Sequence, residues 1–100
     1  MTDEYTQFEC TEQIVDGAPD AAIVANLGTA SKILASVEDR DLNFYMKGAM
    51  GSTTPVANGL AMQVDRGVVA IEGDGGLIMQ LGGLATVSRN NPGNLTVVVM

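Results

Sequence analysis

An α/β architecture, a parallel sheet with helices on both faces, is what this sequence predicts, and three observations predict it. Short unbroken apolar runs such as Val68-Val69-Ala70-Ile71 suit strands covered on both faces. Between them lie segments whose apolar residues recur at helical spacing. Glycine-bearing turns join the two kinds of segment, and strands alternating with helices imply parallel pairing with right-handed crossovers.

The elements follow in order. Thr2 before Asp3 and Glu4 offers a helix start, with Tyr5, Phe8 and Val15 as apolar contacts and Gly17-Ala18-Pro19-Asp20 as its end. Ala21 to Asn26 is a short apolar strand. Leu27-Gly28-Thr29 then turns into a helix whose Ala30, Ile33, Leu34 and Val37 share one face. After the charged connection Glu38-Asp39-Arg40-Asp41, residues Leu42 to Lys47 extend towards a second glycine turn, Gly48-Ala49-Met50-Gly51-Ser52. Pro55 suits the start of a helix capped by Ser52, Thr53 or Thr54, with Val56, Ala57, Leu60, Ala61 and Val64 at helical spacing. Arg66-Gly67 closes it, and the strand Val68 to Glu72 follows. One helix is expected over Leu77 to Arg89 with Leu77, Ile78, Leu81, Leu84 and Ala85 inward, then a turn over Asn90 to Asn94 and a final strand from Leu95 to Met100.

Composition narrows the function. The 100 residues are 46% hydrophobic and 17% charged, which fits a single globular unit over 1–100. Five basic residues against twelve acidic ones leave a formal charge of −7 and no Lys/Arg cluster to neutralise phosphates, so no nucleic-acid partner is expected. Cys10 stands alone, which precludes an intrachain disulfide and suits a reducing compartment. With no apolar stretch of about 18–20 residues and no secretion signal, the expectation is a cytoplasmic protein with no membrane contact. Asn94-Leu95-Thr96 matches a glycosylation acceptor, a match read as accidental in that setting.

The chemistry concentrates at Ile71-Glu72-Gly73-Asp74-Gly75-Gly76-Leu77, where a carboxylate lies among glycines as a buried strand becomes a helix. Three such turns (26–31, 48–52 and 73–76) each lead into a helix, so their free N–H groups can converge on one anion. A diphosphate also calls for a hard cation, and Asp74 is the carboxylate placed to hold Mg²⁺. Asp and Gly are equally ordinary turn residues, so the residues alone leave a plain turn open. There is no His, and no Ser, Cys or Lys stands beside a possible base, so no self-contained acid–base or nucleophilic site is present.

The series N-L-G-T-A-S at 26–31, N-F-Y-M-K-G-A-M-G-S at 43–52 and G-D-G-G-L-I-M-Q-L-G-G-L-A-T-V at 73–87 resembles the diphosphate-binding domain of thiamine diphosphate-dependent decarboxylases. Within that family it is most similar to the sulfopyruvate and phosphonopyruvate decarboxylase group, including separately encoded β subunits. The resemblance covers roughly positions 20 to 100. It implies that Asp74 ligates Mg²⁺, that Gly73, Gly75 and Gly76 approach the diphosphate, and that Gly28, Thr29 and Ser31 touch it from the neighbouring strand end. It further implies that the Gly48 carbonyl accepts from the cofactor's 4'-amino group and that Met50 wedges between its two rings. From the residues alone, a Met beside apolar helices is also ordinary core filling.

By that resemblance the function is non-oxidative decarboxylation of a small 2-oxoacid, with thiamine diphosphate and Mg²⁺ as cofactors. The motif's Asn-bearing turn, which completes the metal site, falls just past Met100, so the chain is expected to be the amino-terminal part of such a domain. The activating glutamate is expected on a pyrimidine-binding α subunit or domain, within a homo- or hetero-oligomer, leaving no catalytic residue here. Glu72, last in its strand, is expected to be structural or to support the site residues from behind. The rival expectations are an acetolactate synthase-like enzyme, a non-catalytic anion- or nucleotide-binding module, and an assembly fragment whose apolar strand pairs with another chain.

Overall fold

The computed structural model describes residues 5–100. Helix α1 (Gln7–Gly17) opens the described chain, followed by β1 (Ala22–Ala25), α2 (Thr29–Val37), β2 (Asn43–Tyr45), α3 (Thr53–Ala61), β3 (Val68–Glu72), α4 (Asp74–Met79), α5 (Gly83–Asn90) and β4 (Leu95–Val99). The four strands form one all-parallel sheet in the order β2-β1-β3-β4, with Ala22 opposite Val68 and Val68 opposite Leu95.

Burial follows the strands' positions. The two central strands, β1 and β3, are buried at every residue, as their unbroken apolar runs require. Odd residues Ile23, Ala25, Val69 and Ile71 pack with Val15 of α1 and Leu34 of α2 on one face. Even residues Ala22, Val24, Val68 and Ala70 pack with Ala57 and Ala61 of α3 on the other. The outer strands β2 and β4 mix half-buried with exposed residues. Among the described residues no helix is long and apolar enough to cross a membrane.

Three expectations about helices are corrected or sharpened. The proposed start at Thr2 to Glu4 lies outside the described residues; the described helix begins at Gln7, where Thr6 and Glu9 form a reciprocal cap. The Glu9 N–H donates to Thr6 Oγ1 at 3.1 Å and the Thr6 N–H donates to Glu9 Oε1 at 2.9 Å. In this helix Thr11 and Val15 are buried, while Phe8 and the preceding Tyr5 are exposed. The α3 cap is sharpened: of the three candidates Ser52 occupies the cap position, without a side-chain bond, while Thr53 and Thr54 are buried and bonded elsewhere.

The remaining correction concerns residues 77–89, which form two short helices rather than one. The break falls at Gln80 to Gly82, beside the pair Gly82-Gly83, where two residues without side chains make continued helix costly. The inward face expected there is not covered: Ile78 is 70% exposed, Leu81 54% and Leu84 39%, and α5 buries no residue.

One structural residue escaped the sequence reading. The Asn94 amide donates to the carbonyls of Ala61, Val64 and Arg66 at 2.9, 3.0 and 2.9 Å, tying the end of α3 to the start of β4. Two amide hydrogens serve three acceptors there, so the donor is shared.

Candidate functional site

The strand order sets the site. From β1 the chain moves outward to β2, then returns through α3 across β1 to β3, so the direction of winding reverses between β1 and β3. In open α/β sheets the crevice beyond the strand carboxyl ends at such a reversal is where ligands bind. The turns at 26–31 and 73–76 both lie there.

A cleft of about 200 Å³ opens at this point, lined by Asn26, Leu27, Thr29 and Ala30 from the first turn and by Ile71, Glu72, Gly73 and Asp74 from the third, with Gln7, Thr11 and Met100 around it. Asp74 is exposed at the start of α4, and its Oδ1 accepts from the Gly75 N–H at 2.8 Å. Among the described residues no group of three or more His, Cys, Asp or Glu is placed to hold a metal. Asp74 is therefore a single hard oxygen donor, which fits a Mg²⁺ ion whose other ligands are phosphate oxygens, water or groups from elsewhere.

The glycines divide by function. Gly28 has φ +78° and ψ −127°, a backbone that side chains rarely adopt, and a Cβ there would meet nothing within 4 Å. The requirement is conformational and the space above it is free. Gly75 is likewise open, with nothing within 4 Å. Gly73 and Gly76 are different: a Cβ on Gly73 would lie 3.0 Å from Asn26 Nδ2, and one on Gly76 would lie 2.5 Å from Glu72 Oε1. Those two glycines make room for polar side chains beneath the turn.

Those side chains form a buried network. Thr53 Oγ1 donates to Asn26 Oδ1 at 3.1 Å, and Glu72 Oε2 accepts from the Thr54 hydroxyl at 2.9 Å and the Thr54 N–H at 3.3 Å. Glu72 is 1% exposed and its Oε1 has no hydrogen-bond partner among the described residues. Ser31, half-buried, donates its hydroxyl to the Asn26 carbonyl at 2.7 Å, which ties the start of α2 to the end of β1.

The second turn stands apart from the cleft. Gly48, Ala49 and Gly51 all have positive φ (75°, 57° and 96°), a strained run that leaves Met50 47% exposed at its tip. Gly51 packs on Met79 and Gln80 at the end of α4. The structure thus brings Thr29, Gly73 and Asp74 to one cleft with Gly28 and Gly75 open beside it, buries Gly76 on Glu72, and leaves Gly48 and Met50 on a turn outside that cleft whose Gly51 packs on the end of α4. The network of Asn26, Thr53, Thr54 and Glu72 was missed by sequence reasoning as a network, although each member lies in or within two residues of one of the three glycine turns.

An all-parallel sheet with a glycine-lined crevice and one exposed carboxylate at its winding reversal defines an anion-binding α/β domain. The chain belongs to the family described as thiamine pyrophosphate enzyme, C-terminal TPP binding domain, whose model matches residues 25–100. It is 36% identical over 97 residues to the sulfopyruvate decarboxylase subunit beta of Methanococcus maripaludis, covering 97% of this chain and 52% of that protein. It is 44% identical over 95 residues to the subunit of the same name from Methanocaldococcus jannaschii, covering 94% of this chain and 50% of that one. Against the phosphonopyruvate decarboxylase of Streptomyces viridochromogenes the identity is 44% over 96 residues, 95% of this chain and 24% of that protein. The chain therefore spans about half the length of those β subunits and about a quarter of the phosphonopyruvate enzyme.

Proposed function

We propose that this chain is the amino-terminal part of the diphosphate-binding unit of a 2-oxoacid decarboxylase of the sulfopyruvate or phosphonopyruvate type. The observation that carries the proposal is the shared cleft: Asp74 and the turn after β1 face one another beyond two adjacent central strands, in a chain whose family binds thiamine diphosphate. Asp74 contributes one Mg²⁺ ligand, and the backbones at Gly28, Thr29 and Gly75 face the diphosphate where the space is open. Gly73 and Gly76 shape that turn, and Ser31 fixes the start of α2. Gly48 and Met50, on the strained second turn, hold the cofactor's aminopyrimidine end by the resemblance stated above.

Thiamine diphosphate, when bound, supplies the electron sink that loss of CO₂ from a 2-oxoacid requires. This chain's part is to bind and orient. The described residues hold no His, and Glu72 is buried and bonded to Thr54, so the activating glutamate comes from a pyrimidine-binding domain or an α subunit. That division accords with the two sulfopyruvate decarboxylase relatives, each of which is a subunit beta.

Calorimetric titration of thiamine diphosphate with Mg²⁺ into the complete assembly tests this. Asp74→Ala is expected to weaken cofactor binding by at least the roughly 10–100-fold that losses around metal sites cause. Unchanged affinity would remove Asp74 from the metal site. ADP binding as tightly as thiamine diphosphate would point to a nucleotide-binding module. A panel of 2-oxoacids with the assembled enzyme then separates sulfopyruvate and phosphonopyruvate from unsubstituted substrates.

A further inference from the structure

Among the described residues Glu72 is the one buried acidic side chain, and the chemistry proposed above does not use it. Its carboxylate lies between two elements. Oε2 accepts both the hydroxyl and the N–H of Thr54, holding the first turn of α3, which begins directly after the Gly48–Ser52 turn. Oε1 has no hydrogen-bond partner among the described residues and rests against Gly76, in the first turn of α4, where a Cβ would come within 2.5 Å of it. Asn26 Nδ2 and Oδ1 lie 3.3 and 3.4 Å from the same point, and Asn26 in turn accepts from Thr53.

A carboxylate so deeply buried is costly unless the surrounding groups repay it, and here one of its two oxygens goes without a hydrogen bond. Two bonds from Thr54 and close contact with Gly76 fix its position. The end of β1, the start of α3, the end of β3 and the start of α4 all meet on Asn26 and Glu72.

We infer that Glu72 is a positioning residue for Asp74: its side chain is the spacer that sets the height of the Gly73–Gly76 turn above the sheet and fixes it relative to the start of α3. Gly76 is the required counterpart, because any side chain there displaces the Glu72 carboxylate from Thr54. The inference rests on the reading of Asp74 as a metal ligand, and its function is carried through shape and hydrogen bonding.

Two measurements on the complete assembly test it. In the first, the dissociation constant for thiamine diphosphate with Mg²⁺ is measured for Glu72→Ala, Glu72→Gln, Asp74→Asn and Leu34→Ala, the last a core truncation away from the turns. Glu72→Ala is expected to weaken binding by about 10-fold or more. Glu72→Gln, which keeps the volume and an acceptor for Thr54, restores affinity to near the parent value, and Leu34→Ala lowers stability without changing affinity. Parent affinity in a folded Glu72→Ala protein, while Asp74→Asn has lost it, overturns the inference alone. Equal losses in Glu72→Gln and Glu72→Ala overturn the shape argument in favour of charge. Unchanged affinity in Asp74→Asn overturns the metal-ligand reading and, with it, any role for Glu72 in positioning that ligand.

The second is a stability cycle between Gly76→Ala and Glu72→Asp, which needs no cofactor. Retracting the carboxylate by one methylene is expected to relieve the Gly76→Ala clash, so the double variant unfolds at a higher temperature than additivity gives. Strict additivity overturns the packing claim and the inference built on it.

Discussion

The two central strands with α1 to α3, and the helices α4 and α5, both carry large apolar side chains, yet these end in opposite environments. Ile23, Val24, Ala25, Leu34, Ala57 and Ala70 are fully buried. Ile78, Met79, Leu81 and Leu84 are 39 to 70% exposed. The first group is sandwiched because both faces of β1 and β3 receive helices from this chain. The second group has little cover, α3 beside α5 and Gly51 at the end of α4, and its helix is broken at Gln80 to Gly82. Apolar periodicity states that a face wants cover; it does not state where the cover comes from.

Removing bulk from the covered region is expected to have the largest effect. Ile71→Ala, at a residue 1% exposed on β3, should cost about 2–5 kcal/mol in denaturant unfolding. A cost of only a few tenths would erase the contrast between the two regions. Asn94→Ala comes next, since it strips the shared donor from three carbonyls where α3 meets β4; a loss of about 1–3 kcal/mol is expected. An effect as large as that of Ile71→Ala would mean that the junction, rather than the central strands, governs cooperativity. Ile78→Ala should stay within about 0.5 kcal/mol, as for exposed sites generally. If it rivals Ile71→Ala, the uncovered face is packed in solution.

The smallest expected effect is at the edge of the covered region, on β2. Burial, then the hydrogen bond that the Tyr45 hydroxyl donates to Asp39 at 2.6 Å, raises the Tyr45 pKa above 10.0. The folded state thus holds this proton more tightly than the unfolded one. The stabilisation is fully present below pH 10 and is lost as pH rises through the folded pKa. Thermal midpoints taken across that range should fall for the parent chain more steeply than for Tyr45→Phe. Parallel curves would show that the edge contributes nothing that titrates.

Much of the fold was legible because its signals are local. Val68 to Glu72 is a run of the right length ended by glycine, and the observed strand has those bounds. Local signals were also available where the reading went astray. Thr6-Gln7-Phe8-Glu9 spells the reciprocal cap that starts α1, and Gly82-Gly83 marks the break between α4 and α5. Asn94 gave no such signal, since the carbonyls it serves lie 28 to 33 residues earlier.

The candidate site divides the same way. The sequence by itself determined the alternation of strands and helices, the three glycine turns and the single carboxylate at Asp74, because each depends on neighbours within a few residues. Only the tertiary structure decided which turns share a cleft, which glycines face open space and which make room for a side chain. Thr53 reaches Asn26 across 27 positions and Thr54 reaches Glu72 across 18, through strands that become neighbours only when the chain crosses back from β2 to β3. Hydrogen bonds and steric exclusion act over a few ångströms of space, so their partners are set by strand order rather than by distance along the chain.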